Sequence, residues 1–452
     1  MSQDLNGSGI NEFKKPETSI RFLTFNTWGL KWVSKHRKQR LRAIADELAG
    51  ISCSVPLPGT PEERASGYDV VALQEIWCKE DWDYIAARCS EAFPYQRIFY
   101  SGIIAGPGLA ILSKIPIQST FLYRFPINGR PSAVHRGDWY VGKSVAITLL
   151  EPVDHKTHPV AILNSHMHAP YALTGDAAYA CHRSCQAWDF SKLANLYKKA
   201  GYAVIISGDL NSRPGSLPHK FLTMETGLVD SWEQLNGKQD LQLIARQRPL
   251  EQLKYGCTTC DSLLNTWRAS RKPDEACRLD YALIDPERLQ TIDAGPRFTG
   301  RIPNVGSFSD HFAYTCTLKL LPKRESATVD SNDRGSRELL LRRFANYEEM
   351  IQCIANYRIV AMRQKLFRCL HFYFSILLLI GALVVTTFTA NKAGWSSIFW
   401  VLFAVVVSIT GTIDGFISFL FGRKELRALK EVEEEVLCAQ RYLKALLKEK
   451  KK

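Results

Sequence analysis

Two apolar runs near the C-terminus limit what this chain can fold into more than any other feature. "CLHFYFSILLLIGALVVTTFTA" (Cys369 to Ala390) and "IFWVLFAVVVSITGTIDGFISFLF" (Ile398 to Phe421) each reach the roughly 20 apolar residues a helix needs to cross a bilayer. The connection, Asn391 to Ser397, is short, so the two runs are expected to form a hairpin. Arg358, Arg363, Lys365 and Arg368 precede the first run. Arg423, Lys424, Arg427 and Lys430 follow the second, while the loop holds only Lys392. Cations accumulate on the cytosolic side of spans, so both termini are expected in the cytosol. A core hairpin of a soluble domain would have no use for such basic brackets.

Gly411 and Gly415 form G-x-x-x-G, which lets another helix approach closely. Asp414, between them, is expensive in hydrocarbon and is expected to pair across the hairpin or a dimer seam, with His371 or Ser375 as partner. The flanks read as helices. Leu340, Phe344, Tyr347, Ile351 and Ile354 make one short heptad seam; Leu429, Val432, Val436, Ala439, Leu443 and Leu446 make the other. The two seams can pack antiparallel as a stalk. A homodimer through hairpin and flanks is compatible with this pattern but not required by it.

Upstream, strand-like runs alternate with turns and helical stretches from "IRFLTFNTW" to "LDYALI", the pattern of sheets buried against helices. The expected boundaries are a polar tail 1–18, a globular domain 19–321, a breaker-rich linker 322–337, a juxtamembrane helix 338–368, the hairpin 369–421 and a cytosolic helix 422–452. The N-terminus is polar and reads as no secretory signal. The twelve scattered cysteines fit reduced cytosolic thiols. Cys257, Cys260 and Cys277 lack the second paired motif that a structural zinc would want, so buried thiols are the expectation.

Gly137 and Gly142-Lys143-Ser144 spell G-x-x-x-x-G-K-S, a nucleotide-binding signature. A phosphate loop follows a strand and opens a helix. Here the β-branched run "SVAITLL" comes next, so the context is wrong for ATP. What remains is a loop carrying Asp138 and Lys143; the plain alternative is a surface pair of little energetic worth.

The informative polar residues stand where apolar runs end. "FNTW" supplies Asn26, "ALQE" Gln74 and Glu75, and "NSHMHA" His166 and His168. "SGDLN" supplies Asp209 and Asn211, "RLDY" Asp280, and "FSDH" Asp310 and His311. One alone would be a strand cap. In succession they point to strand ends converging on one site. Carboxylates and amides without cysteine suit a hard cation such as Mg²⁺. A His with an Asp partner suits activation of water, and Asn can donate to phosphoryl oxygens. No G-x-S-x-G nucleophile is present, so metal-assisted water attack on a phosphodiester fits these residues.

This ordered set resembles the endonuclease/exonuclease/phosphatase superfamily, which includes DNase I and the sphingomyelinases. "TFNTWGL", "VHRGDWYVGKS", "NSHMHAPY" and the double span are similar to its neutral sphingomyelinase branch and, within it, to the fungal inositol phosphosphingolipid phospholipases C. The resemblance implies an α/β fold, a four-layered DNase I-like sandwich with the site at one edge, followed here by the two-helix transmembrane hairpin. It implies Glu75 as the principal Mg²⁺ ligand beside Asn26, with Asp310 supporting the metal side. His311 would be the base, oriented by Asp280. Asp209 and Asn211 would position water and phosphoryl oxygens, and His166 would stabilise the phosphate. His168 would contact the headgroup or pack. Asp138 and Lys143 would sit near the site and respond to an anionic phospholipid activator (phosphatidylserine, cardiolipin or phosphatidylglycerol), with Lys143 a catalytic residue meeting the substrate phosphate once the enzyme is switched on. The C-T-T-C stretch and the loop Ser52 to Ser66 read as insertions without evident purpose.

The implied activity is Mg²⁺-dependent phospholipase C cleavage of a phosphosphingolipid, inositol phosphorylceramide or sphingomyelin, to ceramide and a phosphorylated headgroup. A nuclease or inositol-polyphosphate phosphatase shares the chemistry. The net charge of +13 points to an anionic partner, but obvious basic clusters sit at the membrane flanks. A nuclease should carry them across its catalytic domain, so nucleic acid is not expected as partner. A non-catalytic membrane tether would have lost its ligand residues. The expected location is the endoplasmic reticulum or mitochondrial outer membrane.

Overall fold

The computed structural model describes residues 18–60, 67–323 and 336–449. The tail 1–17, part of the 52–66 loop and most of the linker lie outside the described residues. Two six-stranded sheets form the centre. The first contains β1 (Ser19–Asn26), β2 (Val70–Gln74), β3 (Tyr95–Ile98), β4 (Ala110–Ser113), β11 (Leu289–Arg297) and β14 (Ala313–Leu320). Its order is β11-β14-β1-β2-β4-β3. The second runs β5-β6-β7-β8-β10-β9. These strands are β5 (Ile117–Arg124), β6 (Ser144–Leu150), β7 (Val160–His166), β8 (Ala203–Asp209), β9 (Val229–Asp230) and β10 (Asp280–Ile284). A small ribbon, β12 (Arg301–Ile302) with β13 (Gly306–Ser307), stands apart.

Strand alternation explains the layering, because successive side chains point to opposite faces. In β1, Ile20 and Phe22 face the second sheet with Val70, Ala72, Ile162 and Ile205. Leu23 and Phe25 face outward onto α1 (Arg37–Leu48), beside Val71 and Leu73. In β8, Ala203 and Ile205 face inward while Val204 and Ile206 face α4 (Ala180–Lys199). Helix, sheet, sheet and helix make the four-layered sandwich of the DNase I type. Gln74 and Asn164 tie the sheets together. Gln74 Nε2 donates to Asn164 Oδ1 at 2.8 Å and to Thr24 Oγ1 at 3.0 Å, and Asn164 Nδ2 donates to the Leu73 carbonyl at 3.1 Å. Buried amides so paired fix register, since a one-residue slip would orphan them.

The smaller helices are α2 (Lys79–Arg88), α3 (Asp138–Val141), α5 (Leu217–Lys220), α6 (Ser231–Asn236), α7 (Leu241–Ala245) and α8 (Pro249–Gly256). Beyond them, α9 runs unbroken from Arg337 to Thr389, so the juxtamembrane flank and first apolar run are one 53-residue helix. Ser336 caps it by accepting from Leu339 N. After a turn, α10 (Ser396–Phe416) continues through a π turn into α11 (Gly422–Glu449). Both long helices are apolar enough to cross a membrane. The seams meet, but not as a free stalk. Leu340, Tyr347, Met350 and Ile354 of α9, with Leu429, Val432 and Val436 of α11, share a core with Trp188, Phe190 and Phe221 of the α/β domain. Asp414 meets His371 Nδ1 at 2.7 Å and also Arg368 Nη1 at 2.6 Å. Ser375 packs instead where a Cβ on Gly411 would stand, 2.5 Å away.

Candidate active site at the strand ends

Register brings the polar strand ends together. Asn26 pairs with Gln74 as β1 and β2 finish in parallel, and His166 pairs with Asp209 as β7 and β8 do the same. Asp280 opens β10 directly opposite Asp209. The approach of β7 to β8 requires glycine at 208: φ is +120°, and a Cβ would lie 1.9 Å from the Ser165 carbonyl oxygen. Glu75 and Asn211, one and two residues past their strands, take left-handed backbone, φ 62° and 47°. Such strain in non-glycine residues is a recurrent mark of functional sites.

The side chains close into a network. Asn26 Nδ2 donates to Glu75 Oε1 at 3.1 Å and Asp209 Oδ2 at 3.0 Å. Trp77 Nε1 donates to Glu75 Oε2 at 3.3 Å. His166 Nε2 lies 3.6 Å from Asp209 Oδ2 and 4.0 Å from Glu75 Oε1. The Asn211 amide N–H donates to Asp209 Oδ1 at 3.0 Å. His311 Nδ1 lies 2.8 Å from Asp280 Oδ2, which leaves Nε2 toward Asp209 Oδ2 at 3.9 Å. Asp310 is held by Arg268. Ser309 Oγ donates to the Asn26 carbonyl at 2.6 Å, joining the F-S-D-H turn to β1. Glu75, Trp77, His166, Asp209, Asn211, Arg268, Asp310 and His311 line a cavity of about 340 Å³.

The electrostatics are those of carboxylates crowded out of water. Burial, with Asp310 nearby, raises Glu75. Burial and Asp280 push Asp209 up to about 7 despite His311 and Asn26. Burial opposes charge on His311, but Asp280 and Asp209 outweigh it and hold the imidazole well above its usual value. His166 is held well below its usual value by burial, Lys143 and His311. Asp280 Oδ1 is buried without a hydrogen-bond partner among the described residues. A divalent cation answers this surplus of negative oxygen, and a carboxylate-rich set suits a hard ion. Asp209, Asp280 and His311 place ligand atoms within 4.8 Å of one another, a metal-capable group distinct from the expected Glu75, Asn26 and Asp310 set.

The G-K-S string is a turn entering β6, not a loop opening a long helix. Asp138 starts the one-turn α3, Gly142 is left-handed at φ 67°, and Ser144 begins β6. Lys143 Nζ lies 3.3 Å from Asp138 Oδ1 with both side chains buried, so the pair is not a surface one. Burial works against charge on Asp138, yet Lys143 and His168 keep its carboxyl below the usual range. His168 is packed: its ring stacks on Tyr179 at 4.0 Å and it is 1% exposed.

Sequence reasoning passed over Trp77, Arg136, Tyr171, Arg268 and Arg271, which also line the cavity. The C-T-T-C stretch has a structural use. Phe312 N donates to the Thr259 carbonyl at 2.7 Å, and Cys260 bridges both Cys277 and His311 through backbone pairing. Cys257 and Cys260 are buried free thiols.

Residues 23–311 match the model of the Endonuclease/Exonuclease/phosphatase family. The chain is 69% identical to "Inositol phosphosphingolipids phospholipase C" of Saccharomyces cerevisiae, over 96% of this chain and 92% of that one. It is 34% identical to human "Sphingomyelin phosphodiesterase 2", over 48% and 47% of the two chains. A solved sphingomyelinase C from Streptomyces griseocarneus aligns with TM-score 0.44 and 18% identity, over 66% of this chain and 99% of that one. On the family match and the long yeast alignment, the chain belongs to the Endonuclease/Exonuclease/phosphatase family.

Proposed function

We propose that this chain is a sphingolipid phospholipase C, hydrolysing a phosphosphingolipid to ceramide and a phosphorylated headgroup. The observation that carries the reading is the Asp280–His311 pair aimed into a carboxylate-rich cavity, in a chain so similar to a yeast enzyme named for that activity. In its neutral form His311 removes a proton from water through Nε2 as the water oxygen attacks phosphorus, and Asp280 steadies the imidazolium that forms. The bond from phosphorus to the ceramide oxygen breaks, and that oxygen takes a proton from solvent, to which His311 returns the one it gained. Asn211, His166 and Lys143 donate to phosphoryl oxygens as charge grows there. Asp209 holds Asn26 and the Asn211 backbone in place. A Mg²⁺ ion held by Glu75 with Asn26, supported by Asp310, would supply Lewis-acid charge neutralisation.

The domain boundaries expected from sequence belong to the same proposal, as does a hairpin anchored with both termini in the cytosol, at the endoplasmic reticulum or mitochondrial outer membrane. Anionic phospholipid stimulates the enzyme in this reading. Its support is a cavity of about 380 Å³ lined by Arg124, Lys424, Trp139 and Phe421, at the end of the second apolar run and against Gly142. A dimer through Gly411 and Gly415 is not needed, because Ser375 and Phe372 of the same chain occupy that face.

The test is ceramide release by the purified full-length protein in mixed micelles. Inositol phosphorylceramide and sphingomyelin are each supplied with and without Mg²⁺ and phosphatidylserine. Ceramide with a phosphorylated headgroup is expected. Ceramide phosphate as product, or no ceramide from either lipid, overturns the reading.

A further inference from the structure

Arg136 stands out in the catalytic cavity as a cation with no carboxylate partner among the described residues. It ends the turn Val134–Arg136, and Gly137 (φ 80°) then leads to the buried Asp138. Its position is fixed from two sides. The Tyr171 hydroxyl lies 2.9 Å from the Arg136 carbonyl oxygen and 2.6 Å from Asp138 Oδ2. The guanidinium carbon sits 4.8 Å from the centre of the Tyr171 ring and 5.1 Å from that of Tyr179. Asp176, whose charge Arg136 influences, is engaged by Arg130. Asp138 is engaged by Lys143. Arg136 lines the same cavity as Lys143, Glu75, Asp209 and His311.

The aromatic inventory gives this placement a meaning. A quaternary ammonium headgroup is held by open aromatic faces. Among the described residues, three Trp or Tyr side chains line the cavity: Trp28, Trp77 and Tyr171. The Trp28 ring already carries the guanidinium of Arg40, at 4.6 Å, and Tyr171 carries that of Arg136. Trp77 turns its indole N–H to Glu75. A choline group entering here would meet fixed positive charge on two of its three prospective rings. A planar guanidinium offers five donors in a rigid fork, which suits adjacent hydroxyls or a second phosphate.

We propose that Arg136, clamped by Tyr171 and Tyr179, is the headgroup-selecting residue, binding a hydroxyl-rich cyclitol phosphate of the inositol type and disfavouring choline. This rests on the phospholipase reading above, and adds to it the residue that chooses the substrate.

The experiment compares kcat/KM of the full-length protein on inositol phosphorylceramide and on sphingomyelin with the same ceramide, in the same micelles. Arg136→Gln should lower the inositol-to-choline ratio by about ten- to a hundredfold, the scale of lost charge-assisted hydrogen bonds. Arg136→Lys keeps charge but loses the fork, and should lie between. Soluble inositol phosphate should inhibit Arg136→Gln about tenfold more weakly than wild type, with phosphocholine inhibition strengthened or unmoved. An equal fall on both lipids, or no change in the ratio, overturns the assignment. A variant that fails to fold is replaced by Arg136→Lys, whose ratio alone then decides. A wild type inactive on both lipids defeats the phospholipase reading instead, independently of any variant.

Discussion

Lys143 and Asp138 form an ion pair inside the protein, 3.3 Å apart, at 3% and 6% side-chain exposure. Removing one partner strands the other charge, which typically costs about 3–5 kcal/mol. Lys143→Ala is therefore expected to lower unfolding stability on that scale and to abolish turnover. Adding Asp138→Asn should restore most of the stability and none of the turnover. Chemical denaturation alongside ceramide release checks both. Recovery of activity in the double variant would show that Lys143 does nothing beyond neutralising Asp138.

Glu75 and His311 are expected to have separable roles. His311→Ala should reduce kcat by roughly 10²–10⁴-fold, the usual worth of a positioned base, with the Mg²⁺ concentration for half-activity unchanged. Glu75→Gln should instead raise that Mg²⁺ requirement. Mg²⁺ titrations of kcat for the two variants give the answer; superimposable titrations would contradict the division of labour.

His219 makes the fold sensitive to acid. Burial, then Arg278 and Lys238, pull its imidazole down to about 4, whereas an unfolded chain would protonate it near 6.5. The unfolded state thus binds more protons between about pH 6.5 and 4, and stability falls as pH drops through that window, levelling off below it. One such group contributes a slope approaching 1.4 kcal/mol per pH unit. His219→Asn should remove about one proton's worth of slope, read from denaturation midpoints between pH 7 and 4.5. An unchanged slope would assign the acid sensitivity to other buried histidines.

The flanking helices belong to the catalytic domain's core. Ending the chain before Cys369 would keep every residue of the catalytic cavity but delete Leu429, Val432, Val436, Leu443 and Leu446, all buried. Each such side chain is worth about 1.5–3 kcal/mol of burial. The shortened protein is expected to aggregate or melt well below the full chain, so its loss of activity would say nothing about lipid response. Equal melting temperatures in calorimetry would contradict the shared core.

Much of the candidate site was legible in the sequence because the polar residues that the fold brings together stand at strand ends. The strands are apolar and short, so Asn26, Glu75, His166, Asp209, Asp280 and His311 stand out where hydrophobic runs stop. Arg136, Arg268 and Tyr171 could not be read in this way. They are long side chains on loops, and only their three-dimensional neighbours distinguish them from ordinary surface residues. Arg368 is a similar case. It reads as a membrane-flanking cation, and only the helix crossing puts it on Asp414. The heptad seams of the flanks were visible, but not that Trp188 and Phe190 of α4 await them. A helix with apolar residues on several faces does not announce which neighbour covers which face.

The helix α9 that lies on the catalytic domain is also the helix that carries the first apolar run, without a break between them. With that run in a bilayer, the enzyme does not find its substrate by diffusion through water. It searches a plane, and its orientation to that plane is already set by the rigid helix. Catalytic rate then depends on how many substrate molecules share each patch of surface. Adding inert lipid at constant total substrate should slow the reaction as effectively as lowering the amount of substrate.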